Sequence, residues 1–393
     1  MLKFSDSLDV PDLIGDSKIK IIGIGGAGNN AINTMIGNKL TDVEFVAINT
    51  DLQVLNNSLA ETKIQIGKKL VKGFGAGGNP EIGTLAAEEN EEVLRMVISN
   101  AKVVFIAAGM GGGTGTGAAP VIAKIAKENN ILTIAIVTYP FICEGKIRRD
   151  NADKGINELK NNINSLIVVP NERLKEKFGE IELIEAFKKA DAVLYNAAKS
   201  ISDIINKRGY VNVDYADVKT VLSYMGYALI GFGRAEGEDR AEKATLEAIS
   251  NPLISNICLA ESKAILYNVT TGYDLKTSEL DKVASIISKE ANENKNIIFG
   301  LVYDQEMKNK MDIAIIAGGI PESDTELLPI EQIKKKSHEE EISEIKQILE
   351  RIHQSEKLSP YEQEGIYKTY SNKIENRKEN RKFSNFYNDK EHN

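Results

Sequence analysis

The 393-residue chain has no tryptophan, two cysteines and three histidines. Cys143 and Cys258 cannot build a disulfide framework, and no Cys/His grouping has zinc spacing. They read as reduced thiols. His338, His353 and His392 all lie toward the carboxyl end. The body of the chain has no histidine, which excludes Ser-His-Asp and Cys-His catalysis there. Chemistry is left to carboxylates, backbone amides, hydroxyls or a metal ion. No run of about 18 apolar residues occurs, so no bilayer span is expected. The N-terminal stretch carries Asp6, Asp9, Asp12 and Asp16 and no apolar h-region, so a cytoplasmic protein without a secretory leader is expected. A net charge of −8 leaves no overall basic footprint for nucleic acid.

What is present is a globular composition, 42% hydrophobic and 27% charged, long enough for two domains and a tail. Short apolar runs at Ile19–Ile24, Val43–Asn49, Lys102–Ala108, Ile131–Thr138 and Leu166–Val169 read as buried strands. Helical patterns at Asn30–Asn38, Pro80–Ser99 and Gly117–Asn129 lie between them. This alternation predicts an α/β fold with a Rossmann-like parallel sheet. A long connecting helix is expected over Ile181–Lys207, stopped by Gly209 in a left-handed conformation. A smaller α+β domain follows, with helices near Asp217–Ile230, Asp239–Ser250 and Ser278–Asn292 and strands Ala264–Val269, Ile297–Tyr303 and Asp312–Ala317. The expected organisation is an arm at 1–18, a nucleotide domain at 19–180, a connecting helix at 181–211, a second domain at 212–320, and a linker with a largely disordered tail at 321–393. Residues 331–357 are helix-forming and charged with a thin apolar stripe, Ile333, Ile342, Ile345, Ile348, Leu349 and Ile352, and residues 359–393 have few aliphatics and many Asn, Lys and Glu.

Two glycine loops carry the chemistry. The first, Gly23 to Asn30, follows a strand, opens a helix and fits G-x-G-x-x-G, with Asp51 ending the next strand. That pattern suits a dinucleotide enzyme using NAD, any phosphate ligand, or a tight turn without a ligand. The second, Gly111 to Gly117, packs five glycines into seven residues ahead of a helix. Such a loop is costly to order without a ligand. Its amides suit a polyphosphate nest, Thr114 and Thr116 add hydroxyls, and Pro120 is expected in the first turn of the following helix. No lysine lies between Lys102 and Lys124, so this is not a P-loop. Phosphate charge is then met by amides, the helix dipole and a cation such as Mg²⁺.

Gly111–Gly117 reads GGGTGTG, and Phe105–Pro120 resembles the tubulin/FtsZ family of GTPases at nearly every position. The resemblance continues through Asn49-Thr50-Asp51, Gly75–Pro80, Pro140–Arg148, Asn212–Val218 and Gly237–Ala241, over about residues 18–320. It implies the FtsZ branch, a GTPase of bacterial cell division that polymerises head-to-tail into filaments at the mid-cell ring. It also implies GTP/GDP and Mg²⁺ as ligands, with the metal held through the phosphates. Carried over residue by residue, Gly26, Ala27, Gly28, Asn29 and Asn30 contact phosphates and sugar. Asn29 stands where the family usually has glycine, and modest positive φ is tolerable there. Gly111, Gly112, Gly113, Thr114, Gly115, Thr116 and Gly117 form the phosphate loop. Glu144 and Arg148 match ribose and nucleotide contacts, though alone they are a solvated i,i+4 pair. Phe187 and Asp191 match the base-stacking ring and guanine reader. Without the family Phe187 is core and Asp191 surface.

Asn212, Asp214 and Asp217 resemble the synergy loop, whose acids enter the neighbour's nucleotide site. The bland alternative is an N-cap and a first-turn acid. The resemblance fails at the end of the chain. Asn376–Asn393 has no proline and no D-I-P core, and Arg381-Lys382-Phe383 with Phe386 and Tyr387 is at most a remnant. Division-machinery partners through the tail, and indirect membrane contact, are expected only on family grounds.

Overall fold

The computed structural model describes residues 19–174, 182–206, 209–213, 215–224, 226–250, 259–291 and 295–321. Asp214, Cys258, the 1–18 arm and the tail beyond residue 321 lie outside the described residues.

Strands β1 (Ile19–Ile24), β2 (Glu44–Asn49), β3 (Thr62–Gln65), β4 (Val103–Gly109), β5 (Leu132–Tyr139) and β6 (Ser165–Pro170) run parallel in the order 3-2-1-4-5-6. β1, β5 and β6 are buried along their whole length, because helices cover both faces. These are α1 (Gly25–Gly37), α2 (Leu52–Asn56), α3 (Lys68–Val71), α4 (Pro80–Glu89), α5 (Glu91–Ile98), α6 (Thr114–Glu128) and α7 (Lys146–Lys160). α8 (Leu183–Asn206) lays Ala186, Ala190, Leu194, Ala197, Ala198, Ile201 and Ile204 into the core, spaced at three and four residues.

The same ten-stranded sheet continues into β7 (Gly226–Glu236), β8 (Ala264–Thr271), β9 (Asn296–Tyr303) and β10 (Lys310–Ile320), in the order 7-10-8-9. Two residue pairs, Ser165 with Gly226 and Leu166 with Tyr227, join the halves. β10 is antiparallel to both β7 and β8. α9 (Tyr215–Leu222), α10 (Arg240–Ile249) and α11 (Thr277–Ala291) complete this part. Arg240, 4% exposed at its side chain, clamps it by reaching Glu279 at 2.7 Å and Asp274 at 2.9 Å.

Several expectations needed correction. The helix expected over 217–230 ends at Leu222, and residues 226–236 form β7. Gly231 and Gly233 explain this: a Cβ on either would lie about 2 Å from the Ala248 or Ala244 carbonyl, so their bareness seats α10 on the strand. Pro80–Ser99 is two helices, broken at Asn90, whose carboxamide accepts from Gly67 N at 2.9 Å. Gly209, expected as a helix stop, has a packing reason of its own, since a Cβ there would meet the Leu301 carbonyl at 2.5 Å. The strand β3 has four residues and gave no recognisable run.

Candidate nucleotide site

The two glycine loops stand at the carboxyl ends of adjacent strands, β1 and β4, whose last pair is Ile24 with Ala108. They touch each other through main chain. A Cβ on Gly25, at φ +73°, would sit 2.9 Å from Gly115 N, and one on Gly28 would sit 2.3 Å from the Ala107 carbonyl. The signature loop is gripped from two further sides. Gly117 lies against the Pro80 carbonyl and Gly111 against that of Arg148. Most of these glycines therefore have a packing reason of their own.

Gly26 and Gly112 do not. A side chain on either would meet nothing within 4 Å, and neither has a left-handed φ. Gly26, Ala27 and Asn30 are exposed at the start of α1. Neither packing nor a left-handed φ requires glycine at 26 or 112, and the space over both is open to a ligand.

Both helices begin inside the glycines: α1 at Gly25, five residues before Asn30, and α6 at Thr114, three before Gly117. Pro120 is consequently in the second turn of α6, not its first. Neither helix has a side-chain cap or a first-turn acid. Their neighbours differ: α2 is capped by Asp51, which accepts from Gln53 N and Val54 N, and α4 by Asn79, which accepts from Glu81 N. The two helices that start at the glycine loops thus have no side chain capping their first-turn amides, an arrangement suited to an anion. Asp51 is occupied as a cap, unlike the ribose acid of a dinucleotide enzyme.

Asn29 corrects its expectation. It is helical and 1% exposed, donates to the Gly23 carbonyl at 2.7 Å and accepts from Asn49 at 2.8 Å. Thr114 and Thr50 share a buried hydroxyl contact of 2.6 Å. The Asn49-Thr50-Asp51 segment therefore locks both loops, a role that sequence reasoning missed. Thr116 Oγ1 accepts from Gly111 N at 2.9 Å, so that hydroxyl braces its own loop. Asn171, just past β6, was also passed over. It is 5% exposed and its Oδ1 has no partner among the described residues. Its one signal was position, at a strand's carboxyl end beside the other loops.

At the rim, Glu144 Oε2 meets Arg148 Nη1 at 2.6 Å, and Glu144 Oε1 accepts from Phe141 N at 2.9 Å. Phe187 on α8 is 42% exposed, its ring edge-on to Phe141 at 5.5 Å. One turn on, Asp191 is half-buried. Burial pushes its carboxyl up to about 7, opposed by a Thr34 hydrogen bond. The bland assignment of these two is inverted, since the ring faces outward and the acid is desolvated.

Of the candidate catalytic residues, Asn212 and Asp217 are elsewhere. Asn212 accepts from Gly209 N at 2.7 Å, on a segment bridged to β9 through Val211 and Leu301. Asp217 lies in the first turn of α9 and is half-buried. Tyr215, two residues before it, donates to the carbonyl of Lys102, at the amino end of β4. The signature loop starts at the other end of that strand, about 23 Å away at 3.3 Å per residue. No three potential metal ligands gather among the described residues.

Residues 18–179 match the family model for the tubulin/FtsZ GTPase domain, and residues 226–321 that for the FtsZ C-terminal domain. The cell division protein FtsZ of Pseudomonas aeruginosa is 47% identical over 312 residues, 79% of each chain. The empty FtsZ dimer of M. jannaschii is 42% identical with a TM-score of 0.71, over 77% of this chain and 88% of that one. The GTPγS-bound CetZ2 protofilament of Haloferax volcanii, at 20% identity and a TM-score of 0.68, matches in fold over 82% of this chain and 98% of that one.

Proposed function

The chain belongs to the tubulin/FtsZ family, in its FtsZ branch, and we propose that its subunits assemble head-to-tail so that each completes its neighbour's GTPase site. The protein is a GTP-binding cytoskeletal GTPase of cell division that associates with itself. The NAD-enzyme alternative has no support. The observation that carries the assembly reading is the separation within one chain. The open amides lie at one end of β4, and Asp217 is anchored beside the other.

The triphosphate sits on the uncapped starts of α1 and α6, with Gly26 and Gly112 allowing the main chain to approach. Phe187 stacks on the base, and Asp191 accepts from the N1–H and 2-amino group of guanine, which selects GTP over ATP. Glu144 and Arg148 hold the sugar side. The chain offers no carboxylate cage in its described part. Mg²⁺ would be held through the phosphates, whose charge it would offset. Phosphoryl transfer to water needs positioning and charge stabilisation more than covalent chemistry. Asn212, Asp214 and Asp217 of the next subunit orient the water against the γ-phosphate. Such a contact is heterologous and does not close, which makes filaments. On this reading residues 19–180 hold the nucleotide, 181–211 connect, 212–320 deliver the acids, and the filaments work at a cytoplasmic mid-cell ring. The tail beyond 320 is the route to division partners, with the membrane reached only through them.

The test is GTP-dependent sedimentation with phosphate release across protein concentration. The rate per subunit should rise steeply above an assembly threshold. A rate that is flat down to nanomolar protein, with no pellet, overturns the shared site.

A further inference from the structure

The end of β2 faces two ways. Ala47 belongs to the same core as Ala31 and Ile32 of α1, and Ile48 to that of Ala118 and Ile122 of α6. Successive residues of an extended chain point to opposite sides, so Asn49 falls on the α1 side and Thr50 on the α6 side. Both are buried. Asn49 donates to Asn29 Oδ1 at 2.8 Å, and Asn29 donates to the Gly23 carbonyl at 2.7 Å, which clasps the turn containing Gly25, Gly26 and Gly28. Asp51 N donates to Asn49 Oδ1 at 3.1 Å and fixes that carboxamide from behind. Thr50 shares its 2.6 Å hydrogen bond with Thr114, the first residue of α6. β1 lies between β2 and β4 in the sheet, so this bond passes over the end of β1. Two consecutive residues thus hold one glycine loop each.

We infer that Asn49 and Thr50 are positioning residues that set the spacing between the two phosphate loops, and through it the preference for guanosine di- and triphosphate over guanosine monophosphate. The inference rests on the reading that both loops hold one polyphosphate, and it adds what selects the length of that chain. A monophosphate occupies the amides of one loop at a time. A di- or triphosphate spans both, and its second contact gains the effective concentration that a fixed spacing provides. That gain depends on how narrowly the two sets of amides are held before the ligand arrives, because donors already in place need no ordering. Glycine loops are the segments that most need outside bracing. The loops do meet directly, a Cβ on Gly25 falling 2.9 Å from Gly115 N. Such a contact resists compression but not separation. Hydrogen bonds from one short segment to both loops resist separation as well. Neither Asn49 nor Thr50 needs to touch the nucleotide for this, and both are spent on protein partners.

The test compares GDP and GMP on the nucleotide-free full chain, by calorimetry for the first and displacement for the second. Thr50→Val keeps the shape and removes the hydroxyl. It should weaken GDP about tenfold or more while GMP changes by less than about twofold. Thr50→Ser restores the hydroxyl and should restore GDP affinity. Asn49→Ala, which releases the other loop, should show the same selective loss. A residue that only supports the fold would weaken both nucleotides alike or neither. Either pattern in folded Thr50→Val, or a serine variant no better than valine, refutes the positioning role and leaves the two-loop reading standing. If Asn49→Ala does not fold, the valine and serine variants at position 50 decide alone. If wild type binds GDP no more tightly than GMP, the two-loop reading falls, and this inference with it.

Discussion

In the parallel half of the sheet, glycine loops, helix starts and a locking segment converge on one end of β1 and β4, and the proposed binding is by main chain. In the antiparallel half, the proposed catalytic groups are side chains, on a short bridged segment and a two-turn helix. The first region is rigid before any ligand arrives: Gly25 rests on Gly115, Gly28 on the Ala107 carbonyl, and Asn29 on Asn49. The second holds Asn212 and Asp217 through one edge bridge and the Tyr215 bond to Lys102. The proposed function makes binding and cutting separable, so that a chain holding its nucleotide need not consume it until a neighbour arrives.

The largest effect should come from the second region alone. Asp217→Asn keeps shape and helix start but removes the charge proposed to orient water. Turnover should fall on the order of 10²–10³-fold, while GTP binding and sedimentation stay near wild type. Measuring all three in one preparation decides the matter. Equal losses in binding and turnover would erase the division between the halves.

Within the first region, two glycines that look alike in sequence should behave differently. Gly117→Val drives a side chain toward the Pro80 carbonyl, which a Cβ would already approach to 2.0 Å, so little folded protein is expected. Gly112→Ser meets nothing and should melt like wild type, yet lose about tenfold or more in GDP affinity. The readout is the melting shift that GDP produces, which falls with affinity. A Gly112→Ser variant that binds normally would show that the open space is not the ligand's.

Asp191 makes a smaller, pH-dependent difference. Its folded value, about 7, lies above its ordinary 3.8, so the folded state holds a proton that the unfolded chain releases. Stability from this group is full at low pH and declines as pH rises from about 4 to 7. On the proposed assignment guanine donates two hydrogens there and wants the carboxylate, so GTP affinity should weaken several-fold from pH 8 to pH 6. Asp191→Asn should flatten both trends. An affinity profile unchanged by that substitution would place guanine recognition elsewhere.

How far each half was legible follows from the same contrast. A parallel strand covered on both faces is a continuous apolar run, and Ile19–Ile24 was readable to the residue. β7 reads GYALIGFGRAE, where Ala and Leu carried the helical spacing of the preceding segment onward. Only the approach of α10 to within contact of Gly231 and Gly233 reveals why it is a strand. Site residues with bare main chain were visible as glycine density. The reasons for individual glycines were not, because a distance to a distant carbonyl has no local signature. The same holds for Asn29, which looked like a substituted loop glycine and proved to be a buried helical bracket, and for Thr50, whose partner is 64 residues away.

The smallest expected effect tests whether the rim belongs to the fold or to the ligand. Glu144 and Arg148 form a 2.6 Å pair, but the arginine side chain is 57% exposed. A solvated i,i+4 pair contributes about 0.3–0.5 kcal/mol, less in salt. Glu144 is also fixed without its partner, through Phe141 N, and Gly111 rests on the main-chain carbonyl of residue 148, which any side chain leaves in place. Arg148→Ala should therefore move the melting temperature of the empty protein by no more than about 2 °C. The stabilisation that added GDP produces should shrink clearly, because only the bound state uses the guanidinium. A fall of many degrees without nucleotide, insensitive to salt, would make the pair a structural strut and return the rim to the scaffold.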